Sequence, residues 1–214
     1  MASLAATFGR GAMTNGWTDI RNADVVLAMG GNPAENHPVG FRFVMDAKRT
    51  RRAKLVTVDP RFNRTAAVAD RFAQIRAGTD IAFLGGLIHY ALSRGRYHEE
   101  YVRLFTNGPF LVSEQFAFDE ATGVFSGWDP ERQAYTDLSS WSYELDERGF
   151  ARVDETMAHP RSVLQVMRRH YARYTSETVS NICGCSVEDF ERVAELVTST
   201  YTPDRVGTIL YALG

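Results

Sequence analysis

Five consecutive apolar residues, Val25-Val26-Leu27-Ala28-Met29, run directly into Gly30-Gly31-Asn32-Pro33. A half-exposed strand would alternate apolar and polar residues. Unbroken apolarity over one strand length fits a strand buried on both faces, as in a parallel sheet covered by helices. The following residues keep to that pattern. Val39, Phe43 and Ala47 share a helical face, with Phe41 and Met45 beside it, and Pro38 suits the first turn of that helix. A second apolar run over residues 54–58 stops at Asp59-Pro60-Arg61, and a third over residues 72–75 stops near Gly78-Thr79-Asp80. Thr79 or Asp80 is suited to cap a helix over residues 81–92. Strands alternating with helices predict an α/β fold with a Rossmann-like, mostly parallel sheet, flanking helices and right-handed crossovers.

The middle of the chain breaks this rhythm. Residues 106–159 are rich in Gly, Asp, Ser and aromatics and have little helical period. Trp141-Ser142-Tyr143-Glu144-Leu145 suits a short antiparallel strand, and Asp146-Glu147-Arg148-Gly149 a hairpin turn. Helical spacing then returns. Val163, Val166, Met167 and His170 fall on one face over residues 160–174, and Phe190, Val193, Ala194 and Val197 on another over residues 187–198. Ser186 with Asp189 resembles a capping box, with Asp in place of Glu. Residues 205–213 read as a further buried strand. The expected organisation is an α/β cofactor-binding part over residues 1–105, a hairpin-rich insertion over 106–159, and helices with a returning strand of the α/β domain over 160–214.

Composition excludes several classes. The chain has 214 residues, 44% hydrophobic and 23% charged, with a net charge of -2. A general nucleic-acid binder is usually more basic, so no nucleic-acid partner is expected. The longest nearly apolar run, residues 81–92, is too short to span a membrane, and residues 1–14 do not read as a signal peptide. Cys183 and Cys185 are separated by one residue and have no second pair, a poor spacing for a zinc or iron–sulfur site. His37, His89, His98, His159 and His170 form no catalytic set with a nucleophile elbow. No catalytic residue and no metal ligand is therefore assigned within this chain.

Binding chemistry gathers instead at the strand ends, where open parallel sheets take their ligands. The first loop is Gly30-Gly31-Asn32-Pro33-Ala34-Glu35-Asn36-His37-Pro38, and the second is Asp59-Pro60-Arg61-Phe62-Asn63-Arg64-Thr65. Glycines let a backbone approach a ligand closely. A helix beginning near Pro38 turns its positive end to the same place. Arg61 and Arg64 suit phosphate oxygens. Glu35, Asp59 and Asp80 can accept hydrogen bonds from ribose hydroxyls or a guanine edge. The pattern is not the nicotinamide fingerprint: the loop is Gly-Gly-Asn-Pro, and Asp59 stands much further beyond Gly30 than the expected distance of roughly 20 residues.

These residues also carry a resemblance. The string from Phe8 to Asn15, the Gly-Gly-Asn-Pro-Ala-Glu-Asn-His-Pro-Val-Gly run, the Asp-Pro-Arg-Phe-Asn-Arg-Thr-Ala-Ala-Val-Ala-Asp run, and residues 75–82, 141–153 and 211–214 resemble the alpha (catalytic) subunit of respiratory formate dehydrogenases. That subunit is a member of the molybdopterin oxidoreductase (dimethyl sulfoxide reductase-like) family. The Gly-x-Asn-Pro and Asp-Pro-Arg loops recur across that family, and the longer strings are more specific to formate dehydrogenases.

The resemblance implies that Asn32, Glu35, Asp59, Arg61, Gly78 and Asp80 contact one of two molybdopterin guanine dinucleotides carrying molybdenum. It implies a two-electron oxidation of formate to carbon dioxide, an iron–sulfur beta subunit and a membrane cytochrome subunit as partners, and work on the periplasmic face of the bacterial inner membrane. It places the chain inside a longer one. On that reading the molybdenum ligand, the histidine after it and a 4Fe-4S cluster lie upstream, the active-site arginine lies beyond residue 214, and this piece is inactive alone. A UGA selenocysteine codon just upstream, taken as a stop, is one expected origin of such a start. The alternatives are a piece of another molybdopterin oxidoreductase and a non-catalytic nucleotide-binding module.

Overall fold

A computed structural model describes residues 13–211. The beginning of the family-like segment 9–15 and the end of the expected last strand, residues 212–213, lie outside the described residues. The chain divides into two compact units, Met1–Ala77 with Glu195–Gly214 and Gly78–Ala194.

The first unit holds a four-stranded sheet in the order β3-β2-β1-β6. Its strands are β1 (Val25–Met29), β2 (Lys54–Asp59), β3 (Arg71–Gln74) and β6 (Gly207–Tyr211). All three pairings are parallel. Val25 to Met29 stand against Lys54 to Val58 on one side and Gly207 to Tyr211 on the other. Every residue of β1 is buried, as its unbroken apolar run requires. Two helices follow β1, the short α1 (Pro33–Asn36) and α2 (Pro38–Arg51), each opening on a proline that has no N–H to leave unbonded. Val26, Ala28 and Leu55 pack with Ile20, Phe41, Phe43 and Val44 in a core that also takes in Trp17 and Leu210. Asp70, just before β3, accepts the Leu55 N–H at 2.8 Å and pairs with Lys48 at 2.5 Å.

Two readings of this unit need correction. Val39 was expected on the inner face of α2, yet it is 72% exposed, and Met45 is exposed as well. The buried stripe is Phe41, Val44 and Ala47 with Phe43, because the helix meets the sheet one register over. The last strand was expected to be buried. It alternates exposed and half-buried residues, with Ile209 and Tyr211 exposed, because among the described residues it pairs on one side only, with β1.

The second unit carries α3 (Asp80–Ser93), α4 (Glu99–Phe105), α5 (Val163–Tyr171), α6 (Ser176–Cys183) and α7 (Val187–Val197) as far as Ala194. Phe83 and Phe190 meet edge to face at 5.3 Å, and Gly86 leaves room for Val179 and Phe190. Ser186 caps α7: its Oγ accepts the Asp189 N–H at 3.0 Å. On α5 the buried residues are Leu164 and Val166, while Met167 is exposed, so the inner face is rotated from the expected one. Antiparallel pairings occur within the stretch 106–159. One is β4 (Trp128–Asp129) against β5 (Ala134–Tyr135), and single antiparallel bridges join Val112 to Tyr143 and Leu145 to Ala151. The turn between Leu145 and Ala151 closes at Asp146 to Gly149, where Gly149 takes a positive φ of 82°.

Candidate functional site

The loops that leave β1 and β2 meet at the carboxyl ends of their strands. Gly30 turns the first loop with a φ of 64°, a conformation that costs glycine little, and its N–H bonds to the Val58 carbonyl at 3.1 Å. In the second loop the Asp59 carboxylate accepts the Arg61 N–H at 2.8 Å, and Asn63 Oδ1 accepts the Ala66 N–H at 3.0 Å. These are Asx-type turns, in which a side chain fixes its own backbone. Gln74 at the end of β3 steadies the same loop by donating to the Pro60 carbonyl at 2.8 Å.

The two loops are tied through Asn32 and Thr65. Both the Thr65 N–H and the Thr65 hydroxyl donate to Asn32 Oδ1, at 3.2 and 2.9 Å. Asn32 Nδ2 donates to Glu35 Oε2 at 2.6 Å, and Arg64 Nε lies 3.8 Å from Glu35 Oε1. Between them lies an open concavity of about 510 Å³, lined by Asn32, Glu35, Arg61, Phe62, Asn63, Arg64 and Ala67. The Phe62 ring is 63% exposed and stands edge-on to Phe72 at 5.2 Å. The Arg61 guanidinium has no ion pair among the described residues.

Three of the six residues singled out in the sequence, Asn32, Glu35 and Arg61, share this wall. Asp59 is not part of this wall, and its carboxylate is engaged in the loop's own turn. Gly78 and Asp80 lie at the head of the second unit: Gly78 has a φ of 81°, and Asp80 opens α3 behind Thr79 at the N-cap position. His37 stacks on Trp17 at 5.3 Å and contacts Asn36, so its ring is engaged by the protein itself. Burial pushes the His89 and His170 imidazoles below their ordinary range, with the Arg173 charge adding to the effect at His170. Sequence reasoning gave Thr65 and Phe62 no role. The Thr65 partner is far away in sequence, and no local pattern marks such a bond.

A model of the molybdopterin oxidoreductase family matches residues 2–159. The chain belongs to the molybdopterin oxidoreductase family. It is 55% identical over its whole length to the "Formate dehydrogenase, nitrate-inducible, major subunit" of Escherichia coli (strain K12), of which it covers 21%. It is 52% identical to the "Formate dehydrogenase-O major subunit" of the same organism, and 48% identical to the "Formate dehydrogenase subunit alpha" of Megalodesulfovibrio gigas. In both cases all of this chain matches 21% of the relative. The chain therefore spans about one fifth of the length of these curated relatives. Its fold is similar to that of acetylene hydratase from Pelobacter acetylenicus, with a TM-score of 0.55 and 18% identity over 92% of this chain and 20% of that one.

Membership in the molybdopterin oxidoreductases implies a molybdenum–pterin cofactor. The donor set at the concavity fits the organic part of such a group. Arg61 and Arg64 offer planar forks to phosphate oxygens, Glu35 offers acceptors, and Phe62 offers an exposed ring to a heterocycle. Among the described residues no three His, Cys, Asp or Glu side chains gather where they could hold a metal ion. Cys183 and Cys185 are both buried, and Cys183 Sγ rests 3.5 Å from the Thr79 carbonyl. No helix among the described residues is long and apolar enough to cross a membrane.

Proposed function

We propose that this chain is part of the catalytic subunit of a formate dehydrogenase, and that the loops after β1 and β2 hold the guanine dinucleotide form of the molybdenum–pterin cofactor. The observation that carries this reading is the convergence of Glu35, Arg61 and Arg64 on one concavity at the carboxyl ends of parallel strands. Arg61 and Arg64 bind the pyrophosphate oxygens. Glu35, held by Asn32, accepts from a ribose hydroxyl or the guanine edge. Phe62 covers the heterocycle and keeps water from it. Asp59 shapes the loop that presents Arg61. Gly78 and Asp80 join the same role by resemblance.

When bound, the molybdenum group supplies a two-electron oxidation of formate to carbon dioxide and a proton, with the electrons leaving through iron–sulfur clusters. The residues of this chain supply binding and orientation. The partners that follow are an iron–sulfur beta subunit and a membrane cytochrome subunit at the periplasmic face of a bacterial inner membrane. The identities of 48–55% to three formate dehydrogenase major or alpha subunits favour this substrate over those of other molybdopterin enzymes.

The test is charge reversal at Arg61 and Arg64 together, in the whole polypeptide to which these residues belong, made in a host that synthesises the cofactor. The expected result is loss of both bound guanine nucleotide and formate-dependent dye reduction. Unchanged nucleotide content in a folded variant would overturn the assignment of this concavity.

A further inference from the structure

Thr65 is fully buried in the loop after β2, and its hydroxyl bonds both loops of the concavity. Oγ1 accepts the Ala34 N–H at 3.1 Å and donates to Asn32 Oδ1 at 2.9 Å. The Thr65 N–H meets the same oxygen at 3.2 Å. A backbone N–H only donates, so the Asn32 atom facing it is the carbonyl oxygen, and the sense of that amide is fixed. The NH2 end must then face away from Thr65. It meets Glu35 Oε2 at 2.6 Å, and the other Glu35 oxygen lies beside Arg64. A buried hydroxyl is thus linked in three steps to an acceptor and a cation on the wall of the concavity. Both acceptor positions of Asn32 Oδ1 are engaged by Thr65, so Asn32 has only one amide N–H left for a ligand.

We propose that Thr65 is the positioning residue of the nucleotide site. Its N–H sets the sense of the Asn32 amide, its hydroxyl holds that amide in place and ties it to the Ala34 N–H, and through the amide both support Glu35 and Arg64. The proposal rests on the reading of this concavity as the guanine dinucleotide site. Valine at position 65 keeps the shape of threonine, but it removes the acceptor of the Ala34 N–H and one of the two donors to Asn32. The Asn32 amide then keeps its sense through the residue-65 N–H but is held by one donor in place of two, so Glu35 is held less firmly where it meets a bound nucleotide. Thr57 makes a matched control. It too is fully buried, on β2, and its Oγ1 has no hydrogen-bond partner.

The experiment compares wild type, Thr65→Val, Thr65→Ser, Thr65→Ala and Thr57→Val in the whole polypeptide, made in a cofactor-synthesising host. Two quantities are read: guanosine monophosphate released by acid hydrolysis per protein after extended dialysis, and the melting midpoint of each protein. The expected result is about ten-fold weaker retention of the nucleotide in Thr65→Val, which loses both hydrogen bonds of the hydroxyl. Thr65→Ser restores retention, and Thr57→Val matches wild type. Thr65→Ala gives the same loss as Thr65→Val and stands in for it if the valine variant does not accumulate. Wild-type retention in Thr65→Val or Thr65→Ala overturns the role of Thr65 alone, and so does failure of Thr65→Ser to restore it. A wild-type protein that releases no guanine nucleotide overturns the reading of the site, and the role of Thr65 with it.

Discussion

Aspartates serve opposite purposes in the two units. In the sheet unit Asp24 accepts the Val206 N–H and pairs with Arg51, and Asp70 accepts the Leu55 N–H and pairs with Lys48, so each joins segments distant in sequence. In the hairpin stretch of the second unit, Asp119, Asp129, Asp137, Asp146 and Asp154 each accept the N–H two residues further on. The sheet unit is held by non-local bonds around a buried core. The hairpins add these local turn bonds to their cross-strand bridges, with Leu138, Leu145, Phe150 and Val153 left exposed. Asp59 belongs to the first unit but behaves like the second group, since it fixes its own turn at Arg61. That turn fixes the backbone from which the Arg61 side chain leaves, and this is where the sheet unit adopts the local device.

The sharpest way to break this comparison is to empty the core. Leu27→Ala in fully buried β1 is expected to cost about 2–5 kcal/mol, whereas Leu138→Ala in the exposed hairpin stretch changes stability by less than about 0.5 kcal/mol. Urea unfolding followed by pulse proteolysis of each unit measures both, and equal losses would refute the contrast.

Glycine substitutions sharpen it next. A Cβ at Gly86 would meet Val179 Cγ2 at 2.4 Å and Phe190 Cζ at 2.7 Å, and one at Gly40 would meet the Trp17 ring at 2.5 Å. Val179 and Phe190 are fully buried and cannot yield, whereas Trp17 is half-buried. Both Ala variants should lose about 1–3 kcal/mol, with Gly86→Ala the costlier. The helical part of the second unit is therefore as closely packed at Gly86 as the sheet unit is at Gly40.

Asp70 gives a pH-dependent contrast. Burial opposes its ionisation, but the hydrogen bonds from Lys48 and the Leu55 N–H outweigh that and hold the carboxyl below the usual carboxylate range. A carboxyl with a lowered folded pKa contributes its full stability above its unfolded value of about 3.9 and loses it as pH falls through the folded value. Asp70→Asn should cost about 1–2 kcal/mol near neutral pH, and the gap from wild type should close as pH falls below about 4. A gap that stays constant down to low pH would show that the carboxylate's charge has no part in it.

The smallest effect expected is at the hairpin turns. Asp146→Ala should speed amide exchange at Arg148 and Phe150, whose N–H groups bond to the Asp146 carboxylate, without moving the midpoint of the sheet unit.

The parallel sheet was legible because continuous apolar runs have few other uses, and β1, β2 and β3 formed where those runs lie. The exposure of β6 was not legible, since burial of an apolar run depends on what pairs beside it. Helix α6 escaped notice although its ends carry ordinary caps. Thr175 accepts the Thr178 N–H at 3.2 Å and Gly184 adopts a φ of 81°, but Ser176 to Cys183 lacks a strong apolar period. At the site, Glu35 and Arg61 could be picked because their charge suits a nucleotide. Thr65 could not, because its part depends on a bond to Asn32 that only the folded chain brings together.

The most direct measurement is the structure of the whole polypeptide loaded with its molybdenum–pterin cofactor. The account predicts nucleotide phosphate oxygens within hydrogen-bond distance of Arg61 or Arg64, and a ribose or guanine group against Glu35. A loaded structure in which none of these three side chains touches the cofactor would contradict it.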